Sequence, residues 1–104
     1  MAKLARSTPT DLGPSTRLAP SPYVVSVAHG DTLVLLHPLT GRYFTLNETG
    51  SVVWTALCDN EPLAAATSRI RGKYAVEEYV ASTDVIAVAR CLLQAELVSM
   101  VARD

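Results

Sequence analysis

The cysteines and histidines of this chain of 104 residues are of types suited to nucleophilic attack, proton transfer or metal binding: Cys58, Cys91, His29 and His37. The cysteines are 33 positions apart and form no Cys-x-x-Cys pair, so neither a disulfide nor a metal site is expected. The histidines stand at no recognisable nucleophile–base spacing, although a catalytic triad can be assembled from distant positions. We interpret the cysteines as reduced residues in or near a core. The sequence therefore predicts no independent catalysis, no metal and no cofactor.

Composition points to one folded domain without a nucleic-acid surface. Apolar residues make up 49% of the chain and charged residues 18%, which is enough apolar material for a core. The formal net charge is −1, divided into +2 over residues 1–22 (three basic, one acidic) and −3 over residues 23–104 (six basic, nine acidic). Nucleic-acid-binding domains carry a basic face. Because no apolar run approaches the ~20 residues of a membrane span and no secretory signal is visible, a cytoplasmic protein is expected.

The chain divides in two near residue 22. Residues 1–22 are rich in Pro, Ser, Thr and Arg and lack hydrophobic periodicity, so they are predicted to be a disordered or loosely docked arm. Whether a short segment around Leu18–Pro20 docks on the domain stays open. Residues 23–104 are predicted to form the folded domain.

The domain begins with three predicted strands, Tyr23–Ala28, Thr32–His37 and Arg42–Leu46. Both faces of Thr32–His37 are mostly apolar, which favours a central position. Proline and glycine in Pro38–Gly41 supply turn chemistry. The result is an antiparallel meander in which Arg42–Leu46 lies at an edge with its backbone available to a partner.

Three helices follow the meander: Glu48–Leu57, Pro62–Tyr74, and one that begins at Glu77 or Ser82 and ends at Ala95. Asn47 is a suitable N-cap for the first helix, and Trp54 is predicted to be core. The last residues, Leu97–Val101, are compatible with a short strand or a helical tail. The predicted fold class is α+β and winged helix-turn-helix-like, a three-stranded antiparallel sheet followed by three helices.

At this point one ordered set of residues carries a family resemblance: Thr40-Gly41, Tyr43-Phe44, Leu46-Asn47, Thr49-Gly50, Trp54 and Leu57. The set resembles the signature of the PqqD-like family, also called RiPP recognition elements, over about residues 23–101. The variant present here is most similar to the stand-alone leader-peptide-binding proteins of lasso-peptide biosynthesis, an antibiotic-type pathway. One departure is Glu96, where the family often has a glycine after the third helix.

The resemblance implies a function and a site. Members bind the leader segment of a ribosomally made precursor peptide by β-strand addition, and pass it to a separate transglutaminase-like cysteine protease and possibly a cyclase. Carried over to this chain, the peptide would lie between the third strand and the third helix. The implied contacts are Arg42, Tyr43, Phe44, Thr45 and Leu46 on the strand, and Asp84, Val85, Val88, Ala89 and Leu92 on the helix.

Two other functions remain as alternatives. One is a peptide chaperone of pyrroloquinoline quinone biosynthesis, although that pathway's member usually lacks this tryptophan and has a different turn. The other is a winged-helix DNA-binding protein, since the element order overlaps. Acidic residues outnumber Arg90 along the third helix, and they would repel phosphate: Glu77, Glu78, Asp84 and Glu96.

Overall fold

The computed structural model describes residues 12–101, which form eight elements. In chain order they are β1 (Leu18–Pro20), β2 (Val25–His29), β3 (Thr32–His37), β4 (Arg42–Leu46), α1 (Glu48–Cys58), α2 (Leu63–Lys73), α3 (Glu78–Gln94) and β5 (Val98–Met100). The predicted α+β fold, with a three-stranded antiparallel sheet followed by three helices, is confirmed. No helix within these residues is long and apolar enough to cross a membrane.

The main sheet has the strand order β2-β3-β4, with β3 in the centre as its two apolar faces predict. Leu35 of β3 is fully buried. Between β3 and β4, Gly41 adopts a φ of +74°, a conformation that glycine enters without strain. Its N–H donates to the carbonyl of His37 at 2.9 Å, and Thr40 Oγ1 accepts from the N–H of Arg42 at 3.2 Å. These bonds fix the turn that starts β4.

The helices begin where their local chemistry predicts, within one or two residues. Asn47 caps α1, since its side-chain oxygen accepts from the N–H of Gly50 at 2.8 Å. Pro62 stands just before α2 rather than at its first position. Of the two predicted starts of α3, the structure has the earlier, because Glu77 flanks the helix and Glu78 is its first residue.

The core lies where the three helices meet the inner face of the sheet. Trp54 is 5% exposed, as predicted for a core residue, and Leu57, Leu63 and Leu92 are fully enclosed. The two cysteines are unpaired, as expected, but Cys58 and Cys91 are both exposed rather than part of the core. Neither belongs to the buried row of its helix.

The described part of the N-terminal arm is attached to the domain. Residues 1–11 lie outside the described range. Leu12 and Leu18 are buried, and β1 pairs antiparallel with β5, Leu18 opposite Met100. Residues 97–101 therefore contain a short strand, one of the two conformations that the sequence allowed.

At the end of α3, Glu96 occupies the position at which the family resemblance predicts a glycine. Glu96 has a φ of +63°, the left-handed conformation that glycine takes most easily at this position. The N–H of Glu96 donates to Leu93 O at 3.1 Å and that of Leu97 to Leu92 O at 3.0 Å. The helix ends at this point, and the chain turns into β5.

Candidate functional site

Strand β4 has one free edge. It pairs with β3 on one side, and no other strand within residues 12–101 pairs with it. An open strand edge presents unpaired N–H and C=O groups that can accept another chain. At the start of the strand, Arg42 Nη1 donates to the carbonyl of Gln94 at 3.0 Å and so ties β4 to the end of α3.

The register determines which backbone groups of β4 point outward. His29 pairs with Thr32 across a two-residue turn, and such a turn closes on a hydrogen-bonded pair. Because bonding alternates along an antiparallel strand, the even-numbered residues of β3 bond to β2 and the odd-numbered ones to β4. The β4 partners of those odd-numbered residues are Arg42, Phe44 and Leu46.

Tyr43 and Thr45 are therefore the residues whose N–H and C=O groups face the open edge. Both side chains are exposed on the outer face of the sheet, that of Tyr43 to 71%. Phe44 and Leu46 point to the opposite, inner face, where Leu46 is buried and Phe44 half-buried. An incoming strand would find two outward-facing residues, with apolar side chains on the inner face beside it.

A groove of about 390 Å³ lies beside this edge, between β4 and α3. Its walls carry no charged side chain, and its lining residues are Thr32, Phe44, Thr45, Leu46, Asn47, Gly50, Ala87, Val88 and Cys91. A Cβ added at Gly50 would lie 3.1 Å from two Leu46 side-chain atoms, so this glycine permits α1 to approach the end of β4. The groove suits apolar side chains next to a backbone that can pair.

The structure brings four of the ten predicted site residues into the groove lining: Phe44, Thr45, Leu46 and Val88. Arg42 and Tyr43 are exposed on the same strand outside that lining, and Asp84 is exposed one turn before Val88.

The other three, Val85, Ala89 and Leu92, are at most 1% exposed and belong to the core. They support the wall of the groove from behind and are not part of its surface.

Sequence reasoning missed Ala87 and Cys91 as groove residues. Positions 84, 87, 88 and 91 follow the i, i+3, i+4, i+7 spacing of one helix face, directly beside the buried row. This spacing was the available signal. The prediction included Asp84 and Val88 of this row but combined them with Val85, Ala89 and Leu92 of the more apolar row, which faces the core.

The cysteine in the groove lining has no general base among the residues beside it. Cys91 lies in the lining without a histidine or carboxylate among the other lining residues. Cys58 lies at the end of α1, where the partial burial of its thiol and the neighbouring Asp59 raise the thiol's pKa, which favours the less reactive protonated form. Within residues 12–101 no cluster of His, Cys, Asp and Glu is arranged to hold a metal ion.

A second cavity, of about 290 Å³, lies away from the groove between α2, α3 and the segment at Gly13-Pro14. Ala64 of α2 lines it, and Arg71 and Glu78 face each other there at 3.8 Å. This cavity has no strand edge beside it. It therefore lacks the backbone groups that distinguish the groove.

Comparisons with known proteins agree with this architecture. Residues 32–98 match the family described as coenzyme PQQ synthesis protein D (PqqD). A solved structure named TbiB1 in complex with the TbiA(beta) leader peptide is 32% identical, with 82% of this chain and 99% of that chain covered and a TM-score of 0.74. A lasso peptide synthetase B1 complexed with the leader peptide is 23% identical, with 79% and 96% covered and a TM-score of 0.72, which supports the fold. No curated protein matches the sequence.

Proposed function

Because the chain belongs to the PqqD family, we propose that it binds the leader segment of a ribosomally made precursor peptide in lasso-peptide biosynthesis. The observation that carries the proposal is the open β4 edge beside an uncharged groove. The 32% identical relative TbiB1, solved with a leader peptide, supports the same assignment.

The binding mode is β-strand addition. The leader lies beside β4 and exchanges hydrogen bonds with the outward groups of Tyr43 and Thr45, which gives affinity independent of leader sequence. Alternate leader side chains enter the groove, where Phe44 and Val88 offer apolar contact. A few such anchored side chains supply most of the specificity, because interfaces concentrate their binding energy.

The remaining predicted residues have supporting roles. Arg42 holds β4 to α3 through Gln94, and Asp84 offers a carboxylate to a cationic leader residue beside the groove. Val85, Ala89 and Leu92 hold α3 against the core, so the spacing of helix and strand depends on them.

The protein then acts as a non-catalytic adaptor in the cytoplasm, where precursor peptides are made. It delivers the bound leader to a separate transglutaminase-like cysteine protease and to a cyclase. The same groove on a pyrroloquinoline quinone chaperone would take a different precursor, so the identity of the bound peptide distinguishes the two pathways.

Fluorescence anisotropy tests the proposal with two labelled peptides: the leader of the precursor encoded beside this chain's gene, and the same residues in scrambled order. We expect saturable binding of the native leader, and binding of the scrambled peptide that is weaker by about tenfold or more because only the backbone bonds remain. Because the disordered leader loses entropy on docking, the affinity per contact is modest. Equal binding of the native and scrambled leaders, or none by either, contradicts the proposal.

A further inference from the structure

The sheet has a second free edge, on β2. All five residues of this strand are exposed, and no strand other than β3 pairs with it within residues 12–101. No described helix packs extensively on β2. Both the edge and the two faces of β2 are therefore accessible, whereas β3 is paired on both edges and its Leu35 is buried.

The edge lacks the features by which proteins protect an exposed strand. Natural edge strands carry Lys, Pro, inward charges or bulges that prevent pairing. Val25–His29 reads Val-Ser-Val-Ala-His, pairs with β3 in unbroken register, and contains no formal charge. Because hydrogen bonding alternates along an antiparallel strand, Val25, Val27 and His29 bond to β3, and the N–H and C=O groups of Ser26 and Ala28 face outward.

Apolar side chains continue from this edge across the outer face of the sheet. Val27 is 58% exposed and Val25 is 50% exposed. Val25 lies opposite Leu36 of β3, which is 40% exposed. Leu36 in turn lies opposite Tyr43 of β4, which is 71% exposed. The β2 edge thus combines free backbone groups with β-branched side chains, which favour strand pairing.

We propose that β2 is a homodimer interface, in which two copies pair their β2 strands antiparallel about a two-fold axis at Val27. Ser26 then exchanges hydrogen bonds with Ala28 of the second copy, and Val27 faces Val27 of the second copy. At a two-fold interface, the same surface patch of the two copies is in contact. The absence of charge on β2 matters because like charges opposite each other would prevent such pairing.

The resulting sheet has six strands, and both β4 edges remain free at its outer ends. Dimerisation therefore neither blocks the proposed peptide groove nor depends on it. A ladder of five-residue strands buries less than the ~800 Å² per partner typical of stable complexes, so the dimer is weak and depends on concentration.

Sedimentation equilibrium over about 10 μM to 1 mM tests the interface without any peptide. We expect wild-type protein to shift from monomer towards dimer, and Val27→Lys to weaken association at least tenfold by placing two ammonium groups together. A mixture of Val27→Lys and Val27→Glu should associate again, since the opposite charges then meet. Circular dichroism melts check that each variant is folded.

Leu36→Lys is the matched control, because Leu36 lies on the same face but one strand inside the edge. Its association should equal that of wild type. The proposal is overturned if wild type stays monomeric up to about 1 mM, if Val27→Lys associates normally, or if Leu36→Lys weakens association equally, which would indicate packing through the sheet face.

Discussion

Thr45→Pro should weaken leader binding by roughly 10- to 100-fold, equivalent to about 1.4–2.8 kcal/mol. Proline removes the outward N–H that the added strand needs, and its ring occupies the space of the incoming backbone. The ladder to β3 is kept, because Thr45 is not one of the β4 residues that bond to β3. The anisotropy titration measures the loss, and a thermal melt checks the fold.

Ala28→Pro is the control for this variant. It removes an outward N–H from the opposite edge of the same sheet, on β2, and should bind the leader as wild type does. If both proline variants lose binding equally, the effect comes from damage to the sheet. If Thr45→Pro binds normally, strand addition at β4 is not the binding mode.

Ala87→Trp should reduce leader affinity at least tenfold, or about 1.4 kcal/mol. Ala87 is exposed on α3 and lines the groove of about 390 Å³, so an indole at this position fills space that leader side chains need. The helix tolerates the change because the position faces outward. Competition titration with unlabelled leader measures the affinity.

Ala64→Trp provides the comparison for Ala87→Trp. Ala64 is also an exposed helical alanine that lines a cavity, but that cavity lies between α2 and α3 on another side of the protein. Its affinity for the leader should stay within twofold of wild type. A larger loss in Ala64→Trp than in Ala87→Trp would move the binding site to the second cavity.

The parts of the fold that depend on local chemistry could be predicted from the sequence. Gly41 defines the turn into β4 and Asn47 defines the start of α1, because each acts through atoms three or four residues away. The apolar pattern of Thr32–His37 likewise identified the central strand. These signals need no knowledge of distant residues.

The pairing of β1 with β5 could not be predicted in the same way. Leu18 lies opposite Met100, and nothing in either three-residue segment specifies the other. The face of α3 that lines the groove was likewise difficult to predict from the sequence. Ala87 and Ala89 are the same residue type, yet Ala89 is fully buried and Ala87 lines the groove. Only the packing of α3 decides which of its two rows of side chains faces the core.

If a leader peptide becomes the next strand beyond β4, it must protect the outward amides of that strand from exchange with solvent. Amide hydrogen exchange, measured residue by residue with and without saturating leader, detects this protection. We expect the N–H groups of Tyr43 and Thr45 to exchange more slowly in the complex by about tenfold or more, while those of Ser26 and Ala28 on the β2 edge are unchanged at concentrations where the protein is monomeric. Saturated binding that leaves exchange at Tyr43 and Thr45 unaltered would contradict strand addition at β4.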